Sequence, residues 1–124
     1  MFSGIVQEYS KSVSKETKSY GISLSVGVSK KFTKGLKKGD SIAVNGVCLT
    51  VKRFTPEKVF FDVIHESLKL TNLDYLNLKV PVNLERSLKL GDEIGGHLVS
   101  GHIHAKAKVI SCLLYTSPSP RDSL

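Results

Sequence analysis

Ile42-Ala43-Val44-Asn45-Gly46-Val47-Cys48-Leu49-Thr50-Val51 is a nearly continuous run of apolar and β-branched residues, broken only at Asn45-Gly46. Both of these residues tolerate positive φ, so the dipeptide suits the tight turn of a β-hairpin. The run therefore predicts two antiparallel strands, and the neighbouring segments follow the same period. Upstream, Ile22, Leu24, Val26 and Val28 alternate with Ser23, Ser25 and Gly27, the pattern of a half-buried strand. Phe2, Gly4 and Val6 form a weaker alternation, and residues 59–64, 80–84 and 105–110 are further strand candidates. Helical periodicity is weak: one turn over 32–36, and one or two turns over 67–76. Short segments separated by Gly, Asp, Asn and Lys leave no room for the long crossovers of a parallel sheet. About six strands in one small domain predict an all-β antiparallel barrel or sandwich.

Composition bounds the rest. The chain has 124 residues, room for one core, with 40% hydrophobic and 23% charged residues, a globular rather than a disordered balance. No apolar run approaches the ~20 residues of a membrane-spanning helix. Residues 1–10 show no basic segment followed by an apolar one. Cys48 and Cys112 cannot build a disulfide framework, so a reducing cytoplasm is the expected location. The net charge of +7 admits anionic partners, and Lys30, Lys31, Lys34, Lys37 and Lys38 supply five charges within nine residues. The other charges are interleaved with acids, and aromatics are 7% with no Trp, a thin supply for stacking on nucleic acid. The lysine cluster reads as a solvated basic loop or short helix; neither nucleic acid nor membrane is an expected partner.

Several residues offer chemistry, each beside a plainer reading. His97, His102 and His104 stand close together, and His102 and His104 would share one face of a strand. Three imidazoles can hold zinc, yet no carboxylate or fourth ligand follows at metal spacing, so no metal is expected. The alternative is a permissive connection, GGHLVSGHIH, in which Gly95, Gly96 and Gly101 allow close ligand approach. This stretch is not a GxGxxG fingerprint, so no dinucleotide cofactor is expected either. Cys48 is either a small buried hydrophobe or a thiol facing a ligand beside Thr50, which points the same way two residues on. A Cys48/His102 catalytic pair is the functional version of that reading. Glu66 and Ser67 open a short segment, ESLKLTNL, that is unremarkable alone. From Ser111 the sequence SCLLYTSPSPRDSL has no periodicity, and Pro118 and Pro120 oppose both ladder and helix. It resembles the translated read-through of a sequencing adapter. The expectation is a folded domain over 1–110, an unstructured tail over 111–124, and a natural continuation that differs after Ile110.

Taken together, four segments carry a resemblance. MFSGIV, VNGVCLTV, ESLKLTNL and VNLERSLKLGDEIGGHLVSGHI, in that order, resemble the N-terminal half of riboflavin synthases, and the resemblance spans essentially residues 1–110. It implies a six-stranded antiparallel Greek-key β-barrel with one or two short helices. Family members carry two such barrels and a C-terminal helix, and usually form trimers. They convert two molecules of 6,7-dimethyl-8-ribityllumazine into riboflavin and 5-amino-6-ribitylamino-pyrimidinedione, with no metal or other cofactor. Related barrels bind the same ring systems without chemistry, which leaves a non-catalytic lumazine or flavin carrier as the alternative.

The resemblance also implies site residues. Gly4, Ile5 and Val6 would lie along the flat heterocycle, and Phe2 near a second ring. Cys48, Leu49 and Thr50 would line the same pocket. Asp62, Val63, Ile64, His65, Glu66 and Ser67 would bracket the ligand, with Glu66 meeting ribityl hydroxyls. Gly101, His102 and Ile103 would close the other side. His102 would transfer protons, and Cys48, or a water it positions, would assist attack at C7 of one substrate. Ser3 and Ser67 replace the family's usual threonines and keep the hydroxyl. The large departure is the missing second barrel. Because family active sites form between barrels of neighbouring chains, this chain is expected to bind one ligand, to pair weakly as a homodimer, and to turn over slowly or not at all.

Overall fold

The computed structural model describes residues 1–76, 80–89, 91–93 and 95–111. Among these, eight strands and two short α-helices follow one another: β1 Glu8–Ser10, β2 Val13–Lys18, β3 Gly21–Gly27, α1 Lys30–Thr33, β4 Ser41–Val44, β5 Val47–Thr50, β6 Arg53–Thr55, β7 Lys58–Ile64, α2 His65–Leu70 and β8 Val82–Arg86. They form two four-stranded sheets, in the orders β1-β8-β4-β5 and β2-β3-β7-β6, with every pairing antiparallel. The fold is all-β, as expected. β8, last in sequence, inserts between β1 and β4, the non-sequential order of Greek-key winding.

Eight strands arise from six extended runs because two runs bend from one sheet into the other, which is how corners form between packed sheets. β1 passes into β2 through Lys11 and Ser12. There the Gly27 N–H donates to the Ser12 carbonyl at 2.7 Å. A Cβ on Gly27 would lie 2.8 Å from Ser12 Cβ, so only glycine fits this corner. β5 passes into β6 through Val51 and Lys52. The Val51 N–H donates to Asp40 O at 2.8 Å and the Lys52 N–H to Phe60 O at 2.9 Å.

The core lies between the sheets. Ile22, Leu24 and Val26 of β3, Val59, Phe61 and Val63 of β7, and Ile42, Val44, Val47, Leu49, Val82 and Leu84 of the other sheet are all buried. Burying each such side chain contributes about 1.5–3 kcal/mol. The hairpin is realised as read: Asn45 (φ 50°) and Gly46 (φ 80°) both take positive φ, and β4 pairs with β5 from Ser41–Thr50 to Val44–Val47. The lysine cluster begins as a single capped turn. Ser29 Oγ accepts from the Phe32 N–H at 3.1 Å while Phe32 and Thr33 are buried beneath.

Three departures have physical reasons. Residues 105–110, expected as a strand, carry no strand and are exposed. A strand-like alternation becomes a strand only where a partner offers its backbone. The N-terminal alternation over 2–6 yields one bridge, Phe2 to Val99. Conversely, β1, β2 and β6 went unread. Each is an edge strand, paired on one side and burying few side chains, so its sequence carries little hydrophobic period. Cys112 and the rest of the tail lie outside the described residues.

Candidate functional site

The alternation of buried and exposed residues fails at one place. Ala43 on β4 and Glu85 on β8 face each other across the ladder, and both are buried although they alternate with core residues. Something therefore covers the outer face of this sheet. The cover is the N-terminal segment together with residues 99–103. The Phe2 N–H donates to Val99 O at 2.8 Å and the Val99 N–H to Phe2 O at 2.9 Å, while the Leu88 N–H donates to Met1 O at 2.9 Å. Phe2 is 1% exposed. Glu85 holds the next residues: its carboxylate accepts from the Ser3 N–H at 2.7 Å, the Ser3 hydroxyl at 3.1 Å and the Gly4 N–H at 3.1 Å.

Gly101 is the contact between this cover and β5. Its carbonyl accepts from the Cys48 N–H at 2.8 Å. It has a φ of +79°, and a Cβ there would stand 2.9 Å from Cys48 Cβ and 3.1 Å from Phe2 Cε2. Two clefts flank it. One, about 190 Å³, is lined by Phe2, Gly4, Val6 and Val99 above Ala43, Leu84 and Glu85. The other, about 200 Å³, is lined by Val47, Cys48, Ser67, Leu70, Thr71, Gly101, His102 and Ile103. Each is below the ~300–1,000 Å³ typical of a drug-sized ligand's pocket.

The structure thus brings together Phe2, Gly4, Val6, Cys48, Ser67, Gly101, His102 and Ile103 around the two clefts. Cys48 is half-buried with a free thiol, and His102 is exposed, its backbone N–H donating to Ser100 Oγ at 3.1 Å. Ile5 lies beside the first cleft, its Cδ1 3.0 Å from where a Gly95 Cβ would be. Leu49 and Val63 face the core, so only their backbone is open to a ligand. Thr50, on the face of β5 that Cys48 shares, and Ile64 are exposed, as is Glu66 in the first turn of α2. The His65 ring Nε2 lies 3.1 Å from Ser19 O, tying α2 to the β2–β3 turn.

Asp62 is engaged already. It accepts from the Tyr20 hydroxyl at 2.5 Å, and its other oxygen lies 3.0 Å from Lys52 Nζ. The Tyr20 hydrogen bond, with help from Lys52 and Lys18, holds its pKa below the ordinary carboxylate value; the same bond pushes the Tyr20 phenol up. Among the described residues no three His, Cys, Asp or Glu side chains cluster to hold a metal, and His97, His102 and His104 are all exposed. No helix among them is long and apolar enough to cross a membrane.

Sequence reading missed Glu85 and Tyr20. Glu85 sits in the segment VNLERSLK, and its signal is positional: a carboxylate one residue from Leu84 on a strand whose alternation puts it off the core. Tyr20 had none, because its partner is distant in sequence and their meeting depends on β3–β7 pairing.

A family model described as a lumazine binding domain matches residues 3–87. The chain is 46% identical over 109 residues to the riboflavin synthase of Chlamydia pneumoniae, covering 88% of this chain and 54% of that protein. It is 48% identical over 103 residues to the riboflavin synthase of Buchnera aphidicola, covering 83% and 50%. It is 44% identical over 113 residues to that of Escherichia coli, covering 91% and 53%. The chain therefore spans about half the length of these relatives. Among solved structures it resembles LumP complexed with riboflavin, with a TM-score of 0.75 and 28% identity over 85% of this chain and 56% of that one. It also resembles LumP complexed with 6,7-dimethyl-8-(1'-D-ribityl)lumazine, with a TM-score of 0.73 and 27% identity over 85% and 58%.

Proposed function

Since this chain belongs to the lumazine-binding domain family, matched over residues 3–87, we propose that its two clefts form one site for 6,7-dimethyl-8-ribityllumazine, and that the chain is half of a riboflavin synthase. The observation that carries this reading is the convergence on Gly101 of residues far apart in sequence: Gly4 and Val6 on one side, Cys48, Ser67 and His102 on the other. Gly4, with open space where a Cβ would stand, lets backbone approach a flat ring, and apolar Val6, Val47 and Ile103 give it a surface on which to pack.

The reaction needs two such rings. One lumazine loses a proton from its C7 methyl group, and the ring system delocalises the carbanion; a nucleophile attacks C7 of the other. Four carbons pass from one ring to its partner, and the products together contain every atom of the two substrates, so no external oxidant enters. The protein's main task is to hold the rings face to face. In this reading His102, exposed at the rim of the Cys48 cleft, moves protons, and Cys48 assists at C7 directly or through a water. Of the stretch from Asp62 to Ser67, Ser67 lines the Cys48 cleft, and Glu66 beside it is turned to solvent and open to the ribityl hydroxyls. A single domain over residues 1–110 supplies one ring site. A second site must come from another barrel: a homodimer partner for this chain, or a trimer neighbour in the full-length protein. The setting is the cytoplasm, where the thiol of Cys48 stays reduced.

LumP complexed with riboflavin and with the lumazine favours a second reading, a binding protein that carries such ligands without turnover. Fluorescence titration with the lumazine, followed by an assay for riboflavin, separates them. One ligand per chain with slow riboflavin formation, accelerated when a complete second barrel is supplied, supports the synthase. Binding with no turnover under either condition supports the carrier. Absence of binding contradicts both.

A further inference from the structure

Between Phe2, paired to Val99, and Gln7, whose N–H donates to Leu84 O at 2.9 Å, the N-terminal segment crosses the outer face of the first sheet. Ile5 and Val6 are half-exposed. Along this stretch the bonds to the sheet are the three that Glu85 accepts, two from Ser3 and one from Gly4. Gly4 has a φ of +85° and open space where a Cβ would be. That conformation turns consecutive N–H groups toward one anion, a small backbone nest. Ser3 Oγ also accepts from the Ile5 N–H at 3.2 Å, extending the hold by one residue. Glu85 itself is 6% exposed, and no lysine or arginine among the described residues pairs with it. Its position is fixed from below by the β4–β8 ladder opposite Ala43.

We propose that Glu85 is a positioning residue for ligand binding: its buried carboxylate gathers the donors of Ser3 and Gly4 and so sets the wall that Gly4 and Val6 present to the first cleft. This rests on the reading of the clefts as a lumazine site. A carboxylate is suited to the task because it accepts on both oxygens, whereas an amide turns an N–H₂ group toward the Ser3 or Gly4 N–H. The role is indirect; Glu85 meets the ligand through Gly4 and Val6.

The test uses the 124-residue chain, its Glu85→Gln and Ser3→Ala variants, and 6,7-dimethyl-8-ribityllumazine as probe. Three quantities are read: affinity by fluorescence titration, emission of the bound lumazine at saturation, and hydrogen exchange at the Ser3 and Gly4 amides. Glu85→Gln is expected to weaken binding about tenfold, the loss of one charge-assisted hydrogen bond. It should also shift the emission of the saturated complex toward that in water and speed exchange at both amides, leaving the β3 and β7 amides protected. Ser3→Ala, which removes one donor, should act in the same direction by about threefold and serves alone should Glu85→Gln not fold. A purely structural role would lower the unfolding temperature and leave the bound emission unchanged. Unchanged affinity and emission in the variants overturn the role of Glu85. Failure of the unsubstituted chain to bind the lumazine overturns instead the reading of the clefts.

Discussion

The backbone N–H of Cys48 donates to the carbonyl of Gly101 at 2.8 Å, while the Gly101 Cα sits so close that a Cβ would stand 2.9 Å from Cys48 Cβ. Fifty-three residues apart in sequence, these two join the hairpin strand to the cover of the site. Gly101→Ala must push the two apart and also force alanine into a positive φ, at a cost of about 1–2 kcal/mol from the backbone alone. The expected result is a chain that keeps its fold, since Gly101 lies outside the core, and loses lumazine affinity by at least about tenfold. Circular dichroism and a fluorescence titration on the same sample check both halves.

The Asn45–Gly46 turn makes a stability prediction. Both residues hold positive φ, and Asn45 adds a side-chain bond, its Oδ1 accepting from the Asn83 N–H at 2.8 Å. Gly46→Ala is expected to destabilise the chain by about 1 kcal/mol, and Asn45→Ala by about 1–2 kcal/mol because the Asn83 N–H also loses its acceptor. Urea unfolding with an unchanged slope measures each value.

That hairpin was the most legible part of the sequence, and the reason is local: its turn chemistry and its two apolar strands lie within ten residues. β3 and β7 were legible for a related reason, since central strands bury alternate side chains and write period two into the chain. β1, β2 and β6 left little trace because an edge strand such as Val-Ser-Lys-Glu-Thr-Lys buries one valine and shows solvent the rest. The candidate site was half legible. Cys48, Ser67, Gly101 and His102 could be named from motif order. Their meeting, and the place of Glu85 beneath Ser3, depend on pairings across more than fifty residues that no local pattern records.

Asp62 and Tyr20 give a pH dependence whose sign follows from their bond. Asp62 has a folded pKa below its unfolded value of about 3.9, so its contacts stabilise the fold above that pH and are lost as pH falls through the lower folded value. Tyr20 has a folded pKa above about 10, so its contribution is complete below that pH and is lost as pH rises through the folded value. Both groups are exposed, and screening keeps the effect on stability small. The sharper readout is the residue itself. Tyr20→Phe should move the Asp62 carboxyl titration, followed by carbon NMR, upward toward the ordinary value; an unmoved titration would assign the depression to Lys52 instead.

For the chemistry, Cys48→Ser and His102→Gln belong in a full-length synthase, where turnover is measurable. His102→Gln is expected to lower kcat by about 10²-fold, the usual size of a proton-transfer contribution, with lumazine affinity nearly unchanged. Cys48→Ser should lower kcat by at least about tenfold. Unaffected turnover in both would remove these roles and leave ring alignment as the protein's whole contribution.

The most direct measurement is a titration of the isotope-labelled chain with 6,7-dimethyl-8-ribityllumazine followed by amide NMR. Saturation is expected at one ligand per chain, with the largest shifts at Gly4, Val6, Cys48, Ser67, Gly101 and His102, and little change along β2 and β6. Shifts confined to the far sheet, or to the lysine cluster around α1, would contradict the proposed site, as would no shift at all.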